Sequence, residues 1–226
     1  MPEWNFQVVV RNADLITDAF LLTVGLTGWI CLIGTVVAIP LALAMRTRDV
    51  ILRGLARSTM EVLRALPLLV FLIAFYYIVP SISTWSPAAY TTAAIVGGLN
   101  LAAFLADILR GAAEAVPEGH VEAGRALGMS EFQIARRITI PEITRRAFPS
   151  MLAFYISAYK LTSLASVIGV QELLYTARQI NTRTPAPLEI YTTLAGIYVV
   201  TVVPLSFFAR SLEKTRWFAV FPTSNR

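Results

Sequence analysis

The chain has 226 residues, 56% of them hydrophobic and only 15% charged, with a formal charge of +5. Charged residues make up about a quarter of an ordinary soluble domain, so a soluble globule of this length would lack polar residues to cover its surface. A single cysteine, Cys31, and a single histidine, His120, exclude a disulfide framework, a paired-cysteine site and any two-histidine metal motif, so no metal site is expected. The basic residues recur between long apolar runs instead of forming one stripe, which is the pattern of membrane topology and not of nucleic-acid binding.

In chain order, the segment before the first apolar run carries Glu3, Asp14 and Asp18 against Arg11. A signal peptide begins with a positive region, so no cleavable signal is expected. Five runs then supply the roughly 20 apolar residues that a membrane helix needs: residues 19–45, 59–79, 88–109, 147–168 and 190–209. The fold class predicted is an all-α membrane protein of five spans, forming one transmembrane domain over 1–226. The first run is long enough to tilt or to extend past the bilayer. Pro40, Pro67 and Pro204 each remove a backbone donor and are expected to kink their helices. Gly34, Ala38 and Ala42, and likewise Ala94, Gly98, Ala102 and Ala106, recur every four residues. They suit close helix packing, although alanine richness alone would give the same pattern.

The connections alternate in charge. The first carries Arg46, Arg48, Arg53 and Arg57, the second none, and the third Arg110, Arg125, Arg136, Arg137, Arg145 and Arg146. In the fourth, Arg178 and Arg183 stand against Glu172 and Glu189, and the tail has Arg210, Lys214 and Arg216. Lys and Arg of short loops stay on the cytoplasmic side, which puts the N-terminus outside and the C-terminus inside. Trp4, Tyr76, Tyr77 and Trp85 read as an interfacial aromatic belt.

The third connection is too long for a simple turn. Within residues 117–141, Pro117 suits a helix start and Gly128 a left-handed helix end. Ser130 with Gln133 forms a capping box for a second helix, whose Phe132, Ala135 and Ile138 share a face. Pro141 is expected to stop that helix. Two short amphipathic helices at a bend result.

These residues resemble a known motif. Glu122-Ala123-Gly124, then Gly128, then Ile138-Thr139-Ile140-Pro141 is similar to the EAA motif of permease subunits of ATP-binding-cassette importers. Gly124 stands for the second alanine and Ile140 for a leucine. The resemblance extends to the polar amino acid uptake branch, the histidine-, glutamine-, arginine- and glutamate-type permeases. It runs through Glu61-Val62-Leu63-Arg64-Ala65-Leu66-Pro67, Ala106-Asp107-Ile108-Leu109-Arg110-Gly111 and Lys160-Leu161-Thr162-Ser163-Leu164. Leu161 replaces an acidic residue common there, which tells against a cationic substrate. The resemblance implies two cytoplasmic ATPase subunits, a second permease subunit and a periplasmic or surface-tethered binding protein, in a bacterial inner membrane. Each ATPase would receive one coupling loop. The chain has no phosphate-binding Gly-x-x-x-x-Gly-Lys-Ser/Thr loop, so it needs no cofactor of its own; ATP and Mg belong to the partner.

Ionisable residues within spans are functional candidates by default. Arg64 and Asp107 fall in the cytoplasmic third, where either snorkelling with a Glu61–Arg64 pair or an Arg64–Asp107 bridge near the inner gate accounts for them. Lys160 lies about 21 Å beyond Arg146 in a straight helix, past the bilayer midpoint. Thr162, Ser163 and Ser166 follow it, and Gly169 ends the run, which suits a helix that breaks beside a cavity. The expected pocket is Asn100, Lys160, Thr162 and Ser163, with Lys160 toward a substrate carboxylate. The structural alternative pairs Lys160 with Glu172 or with backbone carbonyls. The function read is import of a polar or charged amino acid or an opine-like relative, with no chemistry in this chain. A non-binding half of a heterodimeric permease and an ATP-independent carrier or channel are the alternatives.

Overall fold

The computed structural model describes residues 4–214; Glu3 and Arg216 lie outside the described residues. Four helical stretches are long and apolar enough to cross a bilayer: Ala13–Arg46, Ala89–Glu114, Glu131–Ile168 and Pro187–Leu212. A fifth crossing is supplied only by a bent pair, Val50–Ala65 with Leu68–Ile82. In order the helices are α1 (Gln7–Arg11), α2 (Ala13–Arg46), α3 (Val50–Ala65), α4 (Leu68–Ile82), α5 (Ala89–Glu114), α6 (Glu118–Ala126), α7 (Glu131–Ile134), α8 (Ile140–Leu161), α9 (Leu173–Arg183) and α10 (Pro187–Lys214). At 1.5 Å per residue, the 34 residues of α2 reach about 51 Å, more than a hydrocarbon core about 30 Å thick requires.

The central element is α5, buried along most of its length and packed against α2, α3, α4 and α8. Its small residues make that position possible. A Cβ added at Gly98 would stand 2.6 Å from Ile33 Cγ2, and one at Gly97 would stand 2.9 Å from Ile30 Cδ1. From the other side, a Cβ on Gly34 would meet Leu101 Cδ2 at 2.9 Å. Ala38, Ala42, Ala94, Ala102 and Ala106 are all buried along this seam. The four-residue repeat is therefore a packing ridge, which closes the distance between backbones where lipid supplies no hydrophobic drive.

Three expectations are corrected. Residues 59–79 are not one continuous helix, because α3 and α4 meet at 102°. Pro67 does more than kink the chain: Leu66 before it is extended, with ψ 123°, as the ring of a following proline demands. Pro141 does not stop a helix. It lies in the first turn of α8, and the chain runs on from α7 through a π-helical turn, Ala135–Thr139. Proline cannot donate to the carbonyl four residues back and clashes with it, and the wider turn absorbs both problems. That turn also shifts the register. Phe132 is 74% exposed, whereas Ile134 is buried and packs with Ile138 against Gly124, so the inner face is Ile134/Ile138 and not Phe132/Ala135/Ile138.

Two ends of the bundle are distinct. Asn5 N–H donates to Glu189 Oε1 at 2.9 Å, and Val8, Ala177, Ile180 and Ile190 form one small core at that end. Arg46, Glu114 and the α6 residues Glu122 and Arg125 share a recess with Thr139 at the other.

Candidate functional site

Two sites can be built from these elements. The first is the coupling segment. Pro117 is the residue before α6, and the helix closes in a paired turn: Gly128 N–H donates to Arg125 O at 2.9 Å and Met129 N–H to Gly124 O at 3.1 Å. Gly128 has φ +76°, the left-handed geometry that glycine adopts at no steric cost. The capping box of α7 is present, with Gln133 N–H on Ser130 Oγ at 3.3 Å and Ser130 N–H on Gln133 Oε1 at 2.9 Å. Arg125 Nε reaches Glu131 Oε1 across the bend at 2.8 Å.

The segment is tied to α8 through Glu142. Its carboxylate holds Arg146 Nη2 at 2.7 Å and His120 Nδ1 at 3.1 Å. Leu127 and Phe132 are exposed on the segment.

The second site is a cavity of about 300 Å³ between α2, α3, α4, α5 and α8. Its walls include Ile30, Leu68, Leu72, Phe104, Phe154 and Leu161, and its polar groups are Arg64, Asn100, Ser157 and Thr162. The helix break at Pro67 explains Asn100. Because Pro67 has no N–H, the Leu63 carbonyl has no intrahelical donor. Asn100 Nδ2 supplies one at 3.0 Å. That bond fixes the amide orientation, since only nitrogen can face a carbonyl. The second break runs from Thr162 to Ile168 as 3₁₀ helix and ends at Gly169, with φ +89°. Thr162 Oγ1 donates back to Tyr159 O at 2.7 Å and Ser163 Oγ to Lys160 O at 2.9 Å.

Of the four expected pocket residues, Asn100 and Thr162 line the cavity. Lys160 and Ser163 do not; Lys160 is exposed on the surface of the single chain. Lys160 is not paired with Glu172, which is fully buried and caps α9 by accepting the N–H groups of Leu174 at 2.9 Å and Tyr175 at 2.8 Å. Burial pushes that carboxyl up to about 7, against the lowering effect of the two N–H donors. Arg64 Nη1 meets Asp107 Oδ2 at 3.3 Å, so its ion pair is with Asp107 and not with Glu61. Arg110 grips Asp107 more closely, with Nη2 at 2.8 Å and Nε at 3.1 Å to Oδ1. A second cavity, lined by Met45, Arg57, Met60, Glu61, Arg64, Asp107 and Arg110, lies behind this pair. Arg64 borders both cavities.

Arg64 and Ser157 are cavity residues that the sequence does not reveal: Arg64 reaches the wall through the turn at Pro67, and the face of α8 that carries Ser157 is set by packing against its neighbours. The Glu172 cap goes unread as well, although an acidic residue after Gly169, ahead of an amphipathic run, is available as a signal.

Residues 32–217 match the family of binding-protein-dependent transport system inner membrane components, and the chain belongs to that family. It is a multi-pass membrane permease subunit, of a kind that works with an ATPase and a binding protein. The nopaline transport system permease protein NocM of Agrobacterium fabrum is 32% identical over 204 residues, 86% of this chain and 85% of that protein. The glutamine transport system permease protein GlnP of Escherichia coli is 34% identical over 155 residues, 68% of this chain and 71% of that one. A crystal structure of an amino acid ABC transporter with histidines superposes with a TM-score of 0.85 at 28% identity, over 94% of this chain and 99% of its counterpart. The fold is thus that of ABC importer permeases, and an ATP-independent carrier or channel is set aside.

Proposed function

We propose that this permease imports a polar amino acid or an opine-like relative handed over by a periplasmic or surface-tethered binding protein. It works in the bacterial inner membrane with a second permease subunit, identical or homologous, and with two cytoplasmic ATPase subunits that bind ATP and Mg. The arginine-rich end, with the coupling segment, faces the cytoplasm, and the N-terminus faces outward. Glu122, Ala123, Gly124, Gly128, Ile138 and Pro141 form the coupling segment received by an ATPase; Gly124 and Ile138 pack on its inner side, and Leu127 and Phe132 are its exposed apolar contacts. The observation that carries this reading is the strut from α6 through His120 and Glu142 to α8, which lets a push on the segment move a span.

Asn100 and Thr162 belong to the substrate pathway from within one subunit. Lys160 and Ser163 join it from the surface turned toward the second permease, because an exposed ammonium deep in a span is costly against lipid. Arg64 and Asp107 form the inner gate.

The complex reconstituted in proteoliposomes tests the reading. Uptake of amino acid is expected only with the binding protein outside and ATP reaching the ATPase, and Glu122→Lys should lower it at least tenfold by weakening ATPase docking. Uptake that persists without any ATPase subunit overturns it.

A further inference from the structure

The bend at Pro67 divides one crossing into two unlike halves. The fifteen residues of α4 are all uncharged, and at 1.5 Å each they reach about 22 Å, short of a core about 30 Å thick. Four of the sixteen residues of α3 are charged: Arg53, Arg57, Glu61 and Arg64. Because α3 meets α4 at 102°, it does not continue along the bilayer normal. It runs in from the end of α2 close to the membrane plane and completes the crossing at a shallow slope.

The helix is three-sided. Successive residues advance by about 100°, so Ala56 and Met60 fall on one side, and both are buried where α3 packs on α2 and α5. Ile51, Leu55 and Val62 share a second side and are 75%, 62% and 58% exposed. Arg53 and Arg57, one turn apart, form the third. Arg57 shares a recess with Met45 and Arg110, near the ends of α2 and α5, so this edge lies level with the bilayer surface at the arginine-rich end. Among the described residues, Arg48, Arg53 and Arg57 make no ion pair. Asp49, the one acid in the link between α2 and α3, is spent on the helix start, accepting Ile51 N–H at 2.8 Å and Leu52 N–H at 3.2 Å. Glu61 lines the same recess as Arg57 without pairing to it. Three guanidinium groups against one carboxylate leave an excess of positive charge beside an exposed apolar face.

We propose that α3 is an interfacial helix that binds anionic phospholipid of the inner leaflet. Acyl chains cover Ile51, Leu55 and Val62, and headgroup phosphates sit among Arg48, Arg53 and Arg57. The choice of leaflet rests on the cytoplasmic placement of the arginine-rich end. Apolar residues on one side of a helix with arginines beside them are what an anionic membrane surface holds, and an arginine fork takes two phosphate oxygens at once. A second copy of the chain packed on this face by two-fold symmetry would bring a second set of arginines with it. Lipid phosphate neutralises them instead. Because α3 also carries Arg64, the arm that leads to the inner gate is seated on the leaflet.

The permease–ATPase complex in proteoliposomes tests this with two probes that differ only in headgroup: phosphatidylglycerol and phosphatidylcholine, each with a photoreactive diazirine in one acyl chain. After irradiation, peptide mass spectrometry is expected to find label on α3 at the side of Ile51, Leu55 and Val62, with more from phosphatidylglycerol than from phosphatidylcholine. Arg53→Gln combined with Arg57→Gln should lower that ratio toward parity, by at most about fivefold per arginine. Arg53→Lys with Arg57→Lys should keep most of it. High salt should lower the wild-type ratio too, because it screens attraction to the charged surface. Absence of label from α3 would mean that protein covers the face, either the second permease or the ATPase, and overturns the proposal. Equal labelling by the two probes, or a ratio that the double Gln variant leaves unchanged, overturns the phosphate contact. If the double Gln variant fails to assemble on gel filtration, the salt series on the wild type decides, and a ratio indifferent to salt overturns it. Labelling needs no transport, so failure of amino acid uptake and failure of the lipid contact are observed separately.

Discussion

Pro67 and Pro141 present the same signal in sequence and produce opposite structures. At Pro67 the helix axis turns by 102°, and at Pro141 the helix continues through one wide turn into α8. Proline sets the problem, a missing donor and a crowded carbonyl. The surroundings choose the solution. Near Pro67, Asn100 of the packed neighbour α5 satisfies the freed Leu63 carbonyl, so the chain can turn and open a cavity. Near Pro141 an internal π turn solves the problem locally, and the continuous helix joins the coupling segment to α8. A bend suits a place where a substrate must enter, and a continuous helix suits a place where force must pass. A third break, after Ile168, is solved in yet another way: Gly169 turns the chain and buried Glu172 caps the next helix.

Glu172 offers the largest test. Its carboxyl is raised from 4.5 to about 7 in the folded chain, so the folded state holds a proton that the unfolded state has released. Its stabilising contribution is therefore fully present below about pH 4.5 and lost as pH rises through 7. Glu172→Gln keeps an acceptor for the cap and removes the titration. Thermal unfolding of the purified complex between pH 5 and 8 should show wild type losing up to about 3 kcal/mol relative to the variant. Parallel pH profiles would mean that the α9 cap holds no proton.

Next is the pair Asn100 and Pro67. Asn100→Leu leaves the part-buried Leu63 carbonyl without its donor, at a cost of about 1 kcal/mol. If that carbonyl is the reason, Pro67→Ala, which restores an N–H, should shrink the penalty in a double-mutant cycle. An additive cycle would break the account of the bend. Pro141→Ala should change stability by less than about 1 kcal/mol. It should instead let the π turn revert and rotate the Ile134 face by about 100°, so amino acid imported per ATP hydrolysed should fall severalfold. An unchanged ratio would show that the π turn does not serve coupling.

How much of this was legible follows from range of interaction. The capping box at Ser130 and the left-handed turn at Gly128 are local, and the sequence carries them outright; the small-residue ridge on α2 and α5 is periodic, and only contact with the facing helix separates it from plain alanine richness. The angle at Pro67 is not local, since it depends on a side chain 33 positions away in Asn100. Without that angle, depth along a straight rod puts Arg64 in the cytoplasmic third and hides its position on the cavity wall. Lys160 shows the same limit from the other side. Its depth and charge marked it as unusual, but which face of α8 it occupies depends on the register left by the π turn and on how α8 packs against α5.

The smallest expected effect concerns Gly124, where the motif resemblance has alanine. A Cβ there would lie 3.0 Å from Ile138 Cδ1 and 3.1 Å from Ile134 Cγ1. Ile138 Cδ1 is the far end of a flexible side chain and can give by a few tenths of an ångström. Replacing a helix-interior glycine by alanine also gains about 0.5–1 kcal/mol of backbone entropy. The two terms oppose, and Gly124→Ala should fall within about 0.5 kcal/mol of wild type with ATPase co-purification unchanged. Gly124→Val adds two further methyl groups against the same isoleucines, and overpacking costs about 1–3 kcal/mol. If the Ile134/Ile138 face created by the π turn is what α6 rests on, only valine should displace α6 and release the ATPase. Equal behaviour of the two variants in unfolding and pulldown would place the seat of α6 elsewhere.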